Sequence, residues 1–249
     1  MSALTAKLLK KTNSSRESRT WKRKFLCICG ELEKIYGVPA LGNIKNPAWE
    51  VFYILLSAKT AEVQYQRTFR ALKKRFPKLK DLASASAKSV CHCIEDGGFG
   101  PRRAKRIQQI ARRFLSELGS QPSRRLKKMT AEECYHYLNS LPGIGPKSAL
   151  CVMMYSLDFD VFPVDVNVHR VAVRLGALKP GISTRRAQKL MPALVPDGIC
   201  KKLHVTMLVH GRTVCVHKKP MCNECIIKGM CRVGRQKGRR TRLRRVDSR

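Results

Sequence analysis

Six residues, Leu141-Pro142-Gly143-Ile144-Gly145-Pro146, interrupt a stretch of the chain that is otherwise helical in character and force a tight reversal there. Two glycines free to take positive φ allow the turn, and Pro146 is suited to the first position of a new helix. Upstream, Thr130 with Glu133 three residues later is a capping-box signature for a helix carrying Tyr135 and Leu138. Downstream, Ser148 to Leu157 is almost wholly apolar and is expected in the core. The same pattern recurs along the chain. Trp49 to Leu56 reads as a buried helix, and Thr60 is expected to cap the next one, on which Phe69, Leu72 and Phe76 recur before Pro77. Ile107, Ile110, Phe114 and Leu118 mark one face of a further helix that is otherwise rich in Arg and Lys and closes at Gly119. Alternating β-branched runs are few, so the expected fold class is all-α.

Charge narrows the choice of partner. The 249 residues, 43% hydrophobic, suffice for a core of one large or two small domains. Lys and Arg number 51 against 17 acidic residues, a net +34, which suits a polyanionic partner. Nucleic acid is favoured over a membrane surface, because no run of about 18 apolar residues is present. In that light the reversal, which as a bare string fits an ordinary αα-turn, suits a DNA backbone: the free amides and dipole at a helix start favour phosphate. Gly143, Ile144 and Gly145 are the candidate contacts. Residues 1–20 read as a basic arm, although their composition overlaps that of transit peptides. Residues 232–249 read as a disordered basic tail. Eleven cysteines, an odd number with no secretory signal before them, point to a reducing compartment.

Three residue sets carry potential chemistry. Lys147 falls in the first turn of the helix after the reversal, where the dipole disfavours an ammonium and a neutral amine is a nucleophile. A solvated or phosphate-contacting lysine is the plainer alternative. Asp165 can cap the helix that follows it. Cys215, Cys222, Cys225 and Cys231, spaced C-x6-C-x2-C-x5-C, could wrap zinc or an iron–sulfur cluster, or be free thiols.

The run LPGIGPKSALCVMMYSLDFDVFPVDVNVHRVAVRLG resembles the core of the helix–hairpin–helix DNA glycosylases of the endonuclease III type, with Lys147 and Asp165 matching that family's lysine and aspartate. VFYILLSAKT and GGFGPRRAKRI resemble two further segments of the family, and the four cysteines match its cluster loop. The resemblance implies an all-α fold of two helical domains with a DNA-binding cleft between them. Residues 41–159 would be a six-helix barrel domain holding the helix–hairpin–helix, and residues 21–40 with 160–231 the iron–sulfur cluster domain. It implies a monomeric, bifunctional DNA glycosylase and abasic-site lyase of base excision repair. Its partner would be double-stranded DNA containing a damaged, mismatched or modified base, flipped from the stack. Lys147 would form an imine at the sugar before β-elimination, and Asp165 would stabilise positive charge or assist proton transfer.

A [4Fe–4S] cluster on the four cysteines would be structural, with Lys218 and Lys219 touching phosphate. The chain departs from the pattern at Lys59, where the family usually has Gln in the base-pocket loop, which opens the question of substrate. The segment around Asn167 is closer to plant 5-methylcytosine glycosylases. A mismatch or modified-cytosine glycosylase, and a non-catalytic helix–hairpin–helix binder, are therefore the alternatives. The 18 residues after Cys231 are too few for the extra domain of adenine-mismatch enzymes. The expected location is cytoplasmic and nucleoid-associated in a bacterium, nuclear or mitochondrial in a eukaryote.

Overall fold

The computed structural model describes residues 16–58, 60–95, 98 and 100–236. Lys59, residues 1–15 of the basic arm and residues 237–249 of the basic tail lie outside the described residues. Within the described residues there are helices and no strands, and no helix is long and apolar enough to cross a membrane. The chain divides into two compact units, one of Leu41–Phe159 and one of Met1–Ala40 with Asp160–Arg249.

The Leu41–Phe159 unit is organised around α2 (Pro47–Ser57). Its residues from Pro47 to Leu56 are all buried, so it needs neighbours on every side. They are α3 (Glu62–Arg75), α7 (Pro122–Lys128) and α9 (Pro146–Ser156). Asn46 starts α2 by accepting from the Trp49 amide at 3.2 Å, and Pro47 occupies the first turn. Aromatic rings knit the core at edge-to-face angles: Tyr53 meets Phe69 at 5.2 Å and Phe52 meets Phe114 at 6.1 Å between centroids. Phe114 lies on the long amphipathic helix α6 (Pro101–Leu118), whose buried face packs against α4 (Leu79–Ser84) and α5 (Ala87–Ile94). The Thr130–Glu133 capping box is present at the start of α8 (Ala131–Ser140).

Thr60 corrects one expectation. α3 begins at Glu62 after Ala61, with no side-chain cap, and the Thr60 hydroxyl donates to the Ala58 carbonyl at 3.3 Å instead. The hydroxyl is spent on its own turn two residues back, a competition typical of threonine. Among the described residues this unit also holds the short α4 and α7, of six and seven residues. Neither is long enough to show a repeating apolar face in sequence.

The second unit pairs α1 (Arg16–Tyr36) with α10 (Val166–Leu175), α11 (Thr184–Leu194) and α12 (Cys200–Thr213). Phe25, Ile28 and Leu32 are fully buried on one face of α1, which packs on α12 and α11. This helix already includes Arg16 to Thr20, within the segment expected to be a solvated arm to residue 20. Ser18 explains why: it is buried, and its hydroxyl donates to the Ala193 carbonyl at 2.6 Å. α10 packs across α12 and ends in Gly176 at φ +95°, a left-handed cap.

Phe114 is fully buried against Phe52 and stacks on Tyr137. Phe114→Ala is expected to lower the unfolding free energy by about 3–5 kcal/mol, read from urea denaturation followed by circular dichroism.

Candidate active site and cysteine loop

The reversal is built as a strained glycine followed by an open helix start. Gly143 has φ +83°, and a Cβ there would stand 2.9 Å from Arg106 Cδ and 3.2 Å from Leu55 Cδ1. Both backbone and space therefore demand glycine at this position. Ile144 is buried, and its amide donates to the Leu141 carbonyl at 3.1 Å, so it anchors the turn from beneath. Gly145 is the N-cap of α9; a Cβ on it would meet nothing within 4 Å, and no side chain caps the helix. A helix start with no side-chain cap suits a phosphate oxygen.

Lys147 is half-buried, one residue after Pro146 in the first turn of α9. The structure adds a neighbour that sequence patterning did not single out. Glu50, fully buried on α2, accepts from Asn43 Nδ2 at 2.6 Å and from the Ile44 amide at 2.7 Å. Burial pushes its carboxyl up from 4.5 to about 8; the hydrogen bonds from Ile44 and Asn43, and then the charge of Lys147, pull the other way. The only signal for it in sequence is one acid within the otherwise apolar Trp49–Leu56 run.

Asp165 is the N-cap of α10. Its Oδ1 accepts from the amides of Asn167 at 2.9 Å and Val168 at 2.7 Å. Its Oδ2 accepts only a longer bond, 3.3 Å, from Asn167 Nδ2. The capping role is therefore present, and it engages mainly one of the two oxygens. Lys147 belongs to the Leu41–Phe159 unit and Asp165 to the other.

The four cysteines are brought together after α12. Cys215, Cys222, Cys225 and Cys231 all line one hollow, completed by apolar side chains such as Val171, Leu175 and Ile227. Among the described residues no three His, Cys, Asp or Glu side chains converge closely enough to hold a single metal ion. Four soft thiol donors around one hollow have the chemistry to hold an iron–sulfur cluster, and zinc takes the same donor type. Burial, aided by the neighbouring cysteines, pushes the Cys225 thiol up to about 11. His210 stands 3.5 Å from Cys225 Sγ through Nε2 and 3.0 Å from the Tyr36 hydroxyl through Nδ1, and burial lowers its pKa to about 4, so the ring is neutral at pH 7.

Arginines hold the loop from the side. Arg174 donates to the carbonyls of Cys215 at 3.1 Å, Val216 at 2.7 Å and His217 at 2.6 Å, and approaches Cys215 Sγ at 3.3 Å. Lys218 and Lys219 are exposed between Cys215 and Cys222.

A glycine-pinned reversal into a helix start and four cysteines around one hollow are the two features that mark the chain. The sequence pattern of the HhH-GPD superfamily of base excision DNA repair proteins matches residues 53–197, over half the chain, and the chain belongs to that family. Within it the fold is endonuclease III-like. A trapped covalent complex of endonuclease III with DNA superposes with a TM-score of 0.74 at 21% identity, over 87% of this chain and 98% of that one. Endonuclease III of Synechocystis is 27% identical over 80% of this chain and 88% of its own. A candidate DNA glycosylase of Arabidopsis thaliana is 32% identical over 69% of this chain and 56% of its own. The DNA glycosylase/AP lyase ROS1 of the same plant is 33% identical over 61% of this chain and 12% of its own. The chain thus spans about half the length of the first plant relative and about an eighth of ROS1.

Two outcomes follow from this geometry. Gly143→Ala should cost about 1–3 kcal/mol in unfolding free energy from backbone strain and weaken DNA binding measured by fluorescence anisotropy. Glu50 carries a folded-state pKa above its unfolded one, so the folded protein holds the extra proton between 4.5 and about 8. Its contribution is full below that window and fades as pH rises through it, by up to ~1.4 kcal/mol per pH unit. Relative to Glu50→Gln, the wild type should therefore lose unfolding free energy between pH 5 and pH 8.

Proposed function

We propose that the protein is a bifunctional DNA glycosylase and abasic-site lyase acting on duplex DNA, with Lys147 as nucleophile. The observation that carries this is the placement of Lys147 in the first turn of α9, directly after the glycine-pinned reversal of a family member. An amine held beside amides that suit phosphate is positioned to meet a sugar on the same strand. The same family contains a lyase by name, ROS1, and an endonuclease III that has been trapped covalently on DNA.

In this chemistry the target nucleotide leaves the stack. The Lys147 amine forms a bond to the sugar C1′ as the glycosidic bond breaks, and the base departs with the bonding electrons and takes up a proton. Loss of the amine's extra proton and opening of the sugar ring leave an imine between Nζ and C1′. Removal of a C2′ proton then expels the 3′ phosphate by β-elimination. Asp165, whose Oδ2 is only lightly engaged, stabilises the positive charge that develops on the sugar or relays protons about the amine. The amides at Gly145 and the start of α9, with Lys218 and Lys219, hold backbone phosphates.

Cys215, Cys222, Cys225 and Cys231 would hold a [4Fe–4S] cluster, which when bound serves as a staple for a loop that has little regular structure of its own. The hollow they share and the apolar surround support that assignment. Lys59, outside the described residues, remains the candidate for base selection.

Borohydride should trap wild-type protein on duplexes bearing a susceptible base or an abasic site. Lys147→Ala should trap none while still binding DNA; a retained adduct in that variant would refute the assignment. Asp165→Asn should bind DNA and excise about 10²-fold more slowly. A protein that binds without base release or strand cleavage would favour the non-catalytic binder. Purified protein should contain iron and acid-labile sulfide, and stripping the iron should lower thermal stability and DNA affinity together; stoichiometric zinc without iron would defeat the cluster assignment.

A further inference from the structure

Helix α6 serves the elements around the reversal with arginines, and all but one of those that reach a neighbour are spent on carbonyls. Arg103 donates through Nη1 to the Leu55 carbonyl at 3.2 Å and through Nη2 to the Ala58 carbonyl at 3.4 Å, closing the C-terminal end of α2. Arg112 donates through Nε to the Ala83 carbonyl in the last turn of α4 at 2.9 Å. Arg113 donates through Nη1 to the Ser140 carbonyl at 2.8 Å, where α8 ends just before the reversal. Carbonyls in a last helical turn lack partners within the helix, so each of these cations has a structural task.

Arg106 is the exception. It sits one turn after Arg103, half-buried, and its Cδ and Nε stand 2.9 and 3.4 Å from where a Cβ of Gly143 would be. The side chain therefore lies against the reversal at its one obligatory glycine. An apolar stem packs well there, while the charged head still calls for a polar partner. Among the described residues no hydrogen bond or ion pair engages the Arg106 guanidinium. Its charge instead acts on a like charge, adding to burial in lowering the pKa of Arg103. Two residues past Gly143 comes Gly145, the N-cap of α9, where the helix dipole is again positive. A guanidinium held among positive neighbours favours an anion, and its planar fork of donors matches two oxygens of a phosphate.

Building on the duplex binding in the proposed function, we infer that Arg106 is a DNA-binding residue that grips a backbone phosphate at the reversal with its guanidinium fork. Arg103 and Arg113, one turn before it and about two turns after it on the same helix, tie α6 to both sides of the turn. The grip is thus set by helix packing and not by a loop. Because its target is a phosphate, it strengthens binding whatever the base.

The test compares the full-length wild type with Arg106→Met, Arg106→Lys and Lys105→Met. Methionine keeps a long apolar stem over Gly143. Lys105, the preceding residue on α6, is exposed, so its removal changes the net charge equally at a place turned away from the reversal. Affinities for an undamaged duplex and for one bearing tetrahydrofuran are read by fluorescence anisotropy across a salt series, with thermal unfolding alongside. Arg106→Met should weaken both duplexes alike by about tenfold. It should also make the slope of log affinity against log salt shallower by about 0.9, the value of one phosphate contact, with an unchanged unfolding midpoint. Arg106→Lys should keep the slope and regain part of the affinity, because the charge stays and the fork is lost. Lys105→Met should change affinity by less than about twofold, as a screened surface charge does.

A binding loss in Arg106→Met no larger than that of Lys105→Met, or one matched by a fallen unfolding midpoint, would overturn this inference and leave the functional assignment standing. A wild type that binds duplex DNA and shows the Arg106 effect, yet is never trapped on an abasic site, would overturn the assigned chemistry and leave the grip in place.

Discussion

Helix α2 is buried on all sides, and the Leu41–Phe159 unit is arranged to keep it so. Its apolar surface removes any polar face to turn toward water, so α3, α7 and α9 must surround it. That requirement places α9, the helix on which Lys147 sits. α9 is itself apolar from Ala149 to Met154, and the two helices satisfy one another. The reversal before α9 is then constrained from below, since Leu55 of α2 and Arg106 of α6 fill the space a side chain at Gly143 would need. The open helix start is thus a consequence of core packing as much as of turn chemistry.

The second unit faces a different difficulty. After α12 the chain runs through the cysteine loop with one short 3-10 turn, Lys228–Met230, so its carbonyls lack helical partners. Arg170 and Arg174, one turn apart on α10, supply donors to the carbonyls of Gly211, Cys215, Val216 and His217. Hydrogen bonds from a charged guanidinium are stronger than neutral ones, which helps to hold an irregular loop. The same helix carries Asp165 as its cap, so one short element orients both the carboxylate and the loop.

Strong periodicity and special backbone positions were legible in sequence. The buried run at Trp49–Leu56, the amphipathic face of Ile107, Ile110 and Phe114, the Thr130–Glu133 box and the Asp165 cap each depend on residues within one turn of each other. Lys147, Asp165 and the four cysteines could be named because their local pattern and family likeness coincide. What escaped depends on contacts distant in sequence. Arg16–Thr20 looked like a solvated arm because its composition is basic, yet Ser18 is held by Ala193, 175 residues away. Thr60 had the right residue type for a cap, and its own turn took the hydroxyl. Arg170 and Arg174 fall within the run that resembles the family core, and nothing near them in sequence announces the carbonyls they serve.

Glu50 shows how burial can adjust a charge without any change of residue. The dipole at the start of α9 disfavours an ammonium at Lys147, whereas a nearby carboxylate favours one, and the two influences compete. Coupling between the two groups is reciprocal: as the lysine's charge stabilises ionised Glu50, ionised Glu50 stabilises that charge. Burial on α2 outweighs both hydrogen bonds to the carboxyl and keeps Glu50 largely protonated at neutral pH, which weakens its hold on the lysine. A solvent-exposed acid at the same place would remain charged and oppose the dipole. Within the proposed chemistry, which needs an unprotonated amine, a Glu50 kept neutral by its depth in the core opposes that state less than an ionised one would.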